Sequence, residues 1–196
     1  MHPRPAPSPD GDLPPRQRIL AAAGELFYRD GIQATGVDAV VARAGVAKVT
    51  LYKHFGAKEG LVAAYLQDRH ERWRAWLPEA VDARATDPRR RLLAVFDALD
   101  EWLEGEGFRG CAFINTAMEI ADPAHSARVV VETDKRWLRD YLHELAASAE
   151  LDEPARLADQ LLILVDGATV AAVIGVATDA VGRAKAAADT LIGPAP

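Results

Sequence analysis

The sequence predicts an all-α protein, and three observations support this fold class. Apolar residues recur at intervals of three and four residues in most of the chain, as in helices with one buried face. Proline follows an acidic residue at Asp87, Asp122 and Glu153, and proline is favoured in the first turn of a helix. No segment shows the sustained alternation of apolar and polar residues that is typical of exposed β-strands.

The first predicted helix begins at Pro15 or Arg16 and ends at Asp30, where Gly31 follows as a helix terminator. The preceding residues, 1–15, are rich in proline and lack the apolar core of a secretion signal, so they are predicted to form a disordered arm. The helix is expected to cover the core formed by the next two helices. Its predicted buried stripe consists of Ile19, Ala23, Leu26 and Phe27.

A short second helix is predicted to end at Gly45. Thr35 followed by Asp38 resembles a capping box, in which a side chain at the helix start accepts a backbone hydrogen bond. This pattern places the helix start one or two residues before Val37. The apolar face of this helix consists of Val37, Val40, Val41 and Ala44.

Residues 46–55 form the third predicted helix, which Gly56 ends. Leu51 and Phe55 lie four residues apart on its buried stripe, and polar side chains occupy another face. Two short helices joined by a tight turn, the second with exposed polar side chains, match the helix-turn-helix that places its second helix in the major groove of DNA. The residues predicted to contact DNA are Lys48, Thr50, Tyr52, Lys53, His54 and Lys58.

Residues 16–66 resemble the DNA-binding domain of the TetR family of bacterial transcriptional regulators, including its Thr-Leu-Tyr-x-His-Phe core at residues 50–55. The resemblance implies an all-helical homodimer whose C-terminal domain binds a small molecule and controls DNA affinity. Ala57 departs from the family pattern, which usually has a capping residue before Lys58. This change is expected to weaken the next helix start by about 1 kcal/mol.

After Lys58, one long helix is predicted to leave the DNA-binding domain, and further helices are expected at 111–121 and 181–191. Three more are expected to begin at Pro88, Pro123 and Pro154, each with the preceding acidic residue as its cap. The predicted organisation is therefore a helix-turn-helix DNA-binding domain at 16–60 and a helical effector-binding and dimerisation domain at 61–196.

Residues 157–177 are the most apolar stretch and are long enough to span a bilayer. Asp159 and Asp166 lie within it, and an acidic group near a membrane centre costs about 2.5 to 3.5 kcal/mol, so a buried soluble helix is predicted. One face is expected to pack within the chain and another against a second subunit, with burial within one chain as the alternative. The residues proposed for the dimer interface are Leu161, Leu164, Val165, Ala168, Ala172 and Gly175.

Aromatic and polar residues of the second domain are candidates for an effector site, although aromatic residues at helical spacing more often belong to a core. Asn115 and Glu119, four residues apart, would orient a ligand or contact each other within the helix. The sequence does not identify the effector. The candidate residues are Trp73, Trp102, Phe113, Asn115, Met118, Glu119, Trp137 and Tyr141.

The net charge of −6 is unevenly distributed, because residues 1–60 carry eight basic and six acidic side chains. Cys111 is the single cysteine, which excludes a disulfide framework within the chain and fits a reducing cytoplasm. Neither an enzyme motif nor metal-ligand spacing is present, and no cofactor is expected. The predicted function is a cytoplasmic, dimeric repressor that binds a palindromic operator and is released by a small molecule, with oxidation of Cys111 as an alternative switch.

Overall fold

The computed structural model describes residues 13–104 and 108–194, and this part of the chain consists of nine α-helices and no strands. The predicted all-α class is confirmed. Most of the predicted N-terminal arm lies outside the described residues. The helices are α1 (Pro15–Asp30), α2 (Val37–Ala44), α3 (Lys48–Phe55), α4 (Lys58–Arg84), α5 (Pro88–Leu103), α6 (Ala112–Glu119), α7 (Ser126–Ser148), α8 (Pro154–Ile174) and α9 (Ala180–Ile192).

The chain divides into two compact units, which differ from the domains expected at 16–60 and 61–196. The first unit comprises the described residues of Met1–Arg69 together with Asn115–Val130. The second unit comprises those of His70–Ile114 and Val131–Pro196. Helices α4, α6 and α7 each contribute residues to both units, so the end of α6 and the start of α7 belong with the helix-turn-helix.

The core of the first unit forms where α1 packs against α2 and α3. Ile19 and Phe27 of α1 are buried together with Leu51 of α3, as their helical spacing predicts. The Phe27 ring meets the Tyr65 ring of α4 edge to face, with 5.8 Å between centroids. Each residue of the stripe predicted for α1 is buried.

The turn between α2 and α3 depends on Gly45, which adopts the left-handed conformation with a φ of 63°. Its N–H donates to the Ala42 carbonyl at 3.3 Å, and the Val46 N–H donates to the Val41 carbonyl at 3.2 Å. These two bonds form a Schellman motif, which satisfies the last carbonyl groups of α2. A residue with a Cβ would be strained at this position.

The capping box predicted for α2 is wrong. Gly36 occupies the N-cap position, and no side chain accepts a hydrogen bond there. The Thr35 hydroxyl is buried and instead donates to the carbonyl of Gly31 at 2.8 Å and of Leu26 at 3.3 Å. The hydroxyl therefore bonds backbone carbonyls near the end of α1, because a buried hydroxyl without a partner would be costly.

Helix α3 begins at Lys48, two residues later than expected, because Ala47 remains extended as its N-cap. Gly60, in the first turn of α4, lies against the end of α3. A Cβ at this glycine would come within 2.2 Å of the Phe55 carbonyl oxygen. Gly60 therefore permits the close approach that fixes α3 against the start of α4.

The second unit has a core built mainly from α5, α8 and α9, with contributions from α4 and α7. Phe96, Leu142 and Leu161 are among its fully buried side chains. The predicted cap of α5 is confirmed, because the Asp87 carboxylate accepts a hydrogen bond from the Arg90 N–H at 2.9 Å.

The expected caps of the other two proline-led helices are wrong. Helix α7 begins at Ser126 rather than Pro123, because the Asp122 carboxylate accepts from the Ala124 N–H at 2.9 Å and forms a turn there. The Glu59 carboxylate then accepts from the Ser126 N–H at 2.9 Å, and this bond lowers the pKa of Glu59. Glu153 precedes α8 but makes no side-chain cap.

Helix α8 is the one helix of the described residues that is long and apolar enough to cross a membrane by length and composition. Leu161, Val165 and Ala168 bury one side of it in the core of the second unit. Its two acidic side chains are paired, with Asp159 2.6 Å from Arg139 and Asp166 2.6 Å from Lys135. These contacts are those of a helix in a globular protein.

Candidate nucleic-acid interface

Helix α3 presents most of its surface outward. Leu51 is fully buried and fixes the rotation of the helix about its axis. Lys48, Lys53 and His54 are consequently exposed, and Tyr52 is 43% exposed. Thr50 on α3 and Lys58 on α4 are half-buried. The structure thus places polar side chains on one continuous outer surface of α3, here called the contact face, defined by residues 48–50 and 52–54.

Lys48 is not a free cation on this face. Its Nζ atom lies 2.8 Å from the Asp38 carboxylate of α2, and this hydrogen bond raises the pKa of Lys48. Both side chains are exposed, so water screens the pair and its strength is small. The pairing places a negative charge beside the face that is expected to meet phosphate groups.

Val49 lies at the centre of the contact face and was not predicted from the sequence. Its side chain is 73% exposed although it is apolar. At about 100° per residue, Val49 is about 160° around the helix from the buried Leu51. A helical projection alone would have identified it, because only residues 49 and 53 point directly away from the core.

Two arginines of α1 extend the positive surface beside the helix-turn-helix. The guanidinium of Arg16 lies over the Phe55 ring at 5.4 Å from its centroid. Arg18 Nη1 lies 3.8 Å from the point that a Cβ at Gly45 would occupy. Arg43 of α2, by contrast, pairs with Glu25 at 2.7 Å. The sequence does not predict these two positions, because the proximity of Arg16 to α3 and of Arg18 to the turn before it depends on tertiary packing.

The residues proposed for an effector site are divided between the two units. Asn115, Met118 and Glu119 belong to the first unit, and the remaining candidates belong to the second. Met118 is 78% exposed. The Glu119 carboxylate accepts a hydrogen bond from the backbone N–H of Gln33, so it is already engaged within the first unit.

Aromatic rings of the second unit pack directly on each other. The centroids of Trp73 and Trp102 are 5.0 Å apart, and Trp76 lies 5.0 Å from Trp102. Trp137 stacks on Tyr141 at 5.8 Å with an angle of 7° between the rings.

A cavity of about 410 Å³ lies between the start of α5 and the end of α9, and its lining contains none of the predicted ligand residues.

The second unit contains a buried polar pair that the sequence does not predict. His70 Nδ1 lies 3.0 Å from the Asp134 carboxylate, and both side chains are almost inaccessible. Burial raises the pKa of Asp134, although the hydrogen bond from His70 opposes this effect. The Trp137 ring meets the His70 ring edge on, with 6.0 Å between centroids. Sixty-four residues separate the pair, so no local pattern reveals it.

Cys111 lies beside a cation rather than in a purely apolar site. Its sulfur is 3.7 Å from Lys135 Nζ, which in turn lies 2.6 Å from the Asp166 carboxylate. Burial disfavours the charged amine, but Cys111 and Asp166 favour it, and the net result raises the pKa of Lys135. Among the residues that the structure describes, no group of three or more side chains could hold a metal ion.

The proposed dimer-interface residues do not share one surface. Leu161, Val165 and Ala168 lie in the core of their own unit, because the side of α8 that bears them faces the other helices of that unit. Leu164 and Ala172 are half-buried, and Gly175 is exposed. The uncovered apolar side chains of this helix are instead Ile163, Val170, Val173 and Ile174.

Comparison with known proteins agrees with this architecture. The sequence profile described as "Bacterial regulatory proteins, tetR family" matches residues 19–65. A solved TetR-family transcriptional regulator from Streptomyces coelicolor has 30% sequence identity and a TM-score of 0.82. The match covers 91% of this chain and 94% of that one.

Curated proteins give the same result. The chain is 28% identical over 155 residues to the HTH-type transcriptional regulator YjdC of Escherichia coli. This match covers 78% of this chain and 80% of that protein. Further relatives are named transcriptional repressors, and one is named a transcriptional activator. These relatives are regulators of transcription and not enzymes.

Proposed function

The chain belongs to the TetR family of bacterial DNA-binding transcriptional regulators, and on this premise we propose that it is a repressor released from its operator by a small-molecule effector. The contact face of α3 carries this proposal. Its lysines suit phosphate groups, and Thr50 and His54 suit backbone or base-edge contacts. The repressor role is supported by the names of several relatives.

Selection of bound duplexes from a random pool tests DNA recognition. We expect one enriched sequence with two inverted half-sites, and binding that weakens as salt rises because phosphate contacts release counterions. Recovery of no preferred sequence would contradict the proposal. A reporter with that sequence across its promoter should be silenced by the protein, whereas stimulation would make the protein an activator.

We propose a homodimer formed through the uncovered side of α8 together with α9. Ile163, Val170 and Ile174 lie within about 40° of each other around α8, and they form an exposed apolar stripe. Soluble proteins seldom leave such a stripe exposed, and a two-fold interface would cover it on both subunits. Two recognition helices are also needed to read half-sites about 34 to 36 Å apart.

The proposed effector binds the second unit and favours a conformation in which the paired recognition helices no longer match successive major grooves. A ligand shifts this equilibrium only through a difference in affinity between the two conformations. Helices α6 and α7 have residues in both units, and they provide covalent continuity for such a change. Candidate metabolites that raise the melting temperature of the protein should also release its selected operator.

A second candidate switch is supported by the contact between Cys111 and Lys135. Oxidation of the thiol to a sulfenic acid would change the group that Lys135 contacts and so disturb its pairing with Asp166. If oxidation of Cys111 is the switch, hydrogen peroxide lowers operator affinity and a reductant restores it. The operator affinity of a Cys111→Ser variant then does not change with peroxide. Equal operator binding before and after peroxide would remove this candidate. In both versions, the protein acts in the cytoplasm without a membrane partner.

A further inference from the structure

We infer that Val49 reads the 5-methyl group of thymine in each operator half-site. This inference rests on the proposed function, because it assigns one residue of the contact face a role in recognising the operator sequence. The exposed position of Val49 in α3 needs an explanation, because valine is a poorer helix former than alanine or lysine. Packing within the chain does not supply that explanation, since the side chain is 73% exposed.

The position of Val49 on the contact face is central. Lys48 precedes it, and Tyr52 and Lys53 lie three and four residues further along, so they flank it on the helix surface. Leu51 and Phe55 pack on the opposite side, with Leu51 fully buried. Val49 and Lys53 both point directly away from the core, so both face the groove when α3 lies in it. The long Lys53 side chain can reach a phosphate on the groove wall, whereas the short Val49 side chain faces the base edges.

The chemistry of the side chain limits what it can read. Valine has neither a donor nor an acceptor, so it gains nothing from the hydrogen-bonding edges of guanine, cytosine or adenine. The thymine methyl is the one apolar group that unmodified bases present in the major groove. Contact between two apolar groups removes both from water, which is favourable, whereas an unpaired polar base edge under Val49 would lose hydration.

The test uses the duplex selected by the wild-type protein, with deoxyuridine replacing thymidine at one symmetric pair of positions at a time. This replacement removes the methyl group and keeps the base pairing. We expect one replacement to weaken wild-type binding about fourfold per half-site, or about fifteenfold for two half-sites. Val49→Ala should bind the thymidine and deoxyuridine duplexes with equal affinity. The matched control Val129→Ala removes an exposed valine elsewhere and should retain the wild-type difference.

Two outcomes would overturn this inference and leave the proposed DNA-binding function intact. Either the wild type binds every deoxyuridine duplex as tightly as the parent, or Val49→Ala shows the same sensitivity to a replacement as the wild type. Val49→Thr provides a second variant, because it keeps the shape of valine and replaces one methyl with a hydroxyl, and it should show a smaller difference between the thymidine and deoxyuridine duplexes than the wild type. If selection enriches no duplex at all, the proposed DNA-binding function fails, and the role of Val49 fails with it.

Discussion

The carboxylate of Glu119 accepts a hydrogen bond from the backbone N–H of Gln33 at 2.9 Å, across 86 residues of sequence. This bond connects the last turn of α6 to the loop between α1 and α2. A Cβ at Gly31 would lie 3.3 Å from the same carboxylate, so the loop and the side chain are in close contact. The start of the helix-turn-helix is therefore held by a residue that the sequence analysis placed in the effector site.

Replacing Glu119 should loosen the loop that leads into α2. We expect Glu119→Ala to reduce the free energy of unfolding by about 1 to 2 kcal/mol, because the Gln33 N–H loses a charged acceptor. Urea denaturation measures this change. Hydrogen exchange at the Gln33 amide should become faster, and operator affinity should fall. Glu132→Ala removes an exposed carboxylate of α7 and serves as the control. Unchanged exchange at Gln33 would contradict the role of Glu119.

Asp38 should limit DNA affinity through its pairing with Lys48. We expect Asp38→Asn to strengthen operator binding, because the change frees the Lys48 ammonium and removes a negative charge beside the phosphates. The salt dependence should become steeper by about 1.8 in the logarithmic slope for a dimer that gains two phosphate contacts. Asp152→Asn makes the same charge change in the second unit and should leave the slope unaltered. Weaker binding by Asp38→Asn would contradict this role.

Lys53 should contribute a phosphate contact, since it is exposed on α3 beside Val49. We expect Lys53→Ala to weaken binding to selected and random duplexes by a similar factor and to reduce the salt slope by about 1.8 per dimer. Fluorescence anisotropy at several salt concentrations measures both quantities. Arg136→Ala removes an exposed cation of α7 and provides the comparison. A loss confined to the selected duplex would instead assign Lys53 to base recognition.

The sequence predicts those features of this protein that depend on local patterns. Helix α1 has the bounds and buried stripe that its periodicity indicates, because one-sided burial imposes that spacing on any helix. The start of α7 could not be predicted, since the acceptor that caps it is Glu59, 67 residues earlier. The Thr35 hydroxyl was equally unpredictable, because its acceptors are carbonyls at the end of another helix.

The contact face of α3 can be predicted from a local sequence pattern, whereas the uncovered side of α8 cannot. Leu51 and the polar residues of α3 follow from helical geometry, so the DNA-contact prediction rests on a local pattern. In α8, Leu161 and Ile163 are both apolar, and the pattern does not reveal which of them the chain's own core covers. Tertiary packing decides this, and it buries Leu161 and leaves Ile163 70% exposed.

Asp134 should make stability depend on pH in the opposite sense from most carboxylates. Its pKa in the folded protein is raised above the ordinary value of 3.8 by burial, so the folded state binds the proton more tightly than the unfolded state. Its contribution to stability therefore falls as the pH rises from 3.8 through the folded-state pKa. Asp134→Asn cannot ionise and lacks this dependence.

We expect the free energy of unfolding of Asp134→Asn, relative to the wild type, to increase with pH across that window. Urea denaturation at a series of pH values measures the difference. Asp152→Asn, at an exposed position, should show no such increase. A relative stability of Asp134→Asn that stays constant or decreases with pH would show that the hydrogen bond from His70 outweighs burial.

Ile163 should decide whether two chains associate. It is 70% exposed on α8, so a substitution there has little effect on the core of the second unit. In a two-fold interface, however, Ile163→Glu would place two unpaired carboxylates in apolar surroundings, and each would cost several kcal/mol. We expect sedimentation velocity to show monomers of Ile163→Glu at concentrations where the wild type is a dimer. Operator affinity should fall sharply, because one recognition helix contacts only a half-site.

Val129→Glu introduces the same charge at an exposed valine outside α8 and should remain dimeric. A dimeric Ile163→Glu variant would place the interface on another surface.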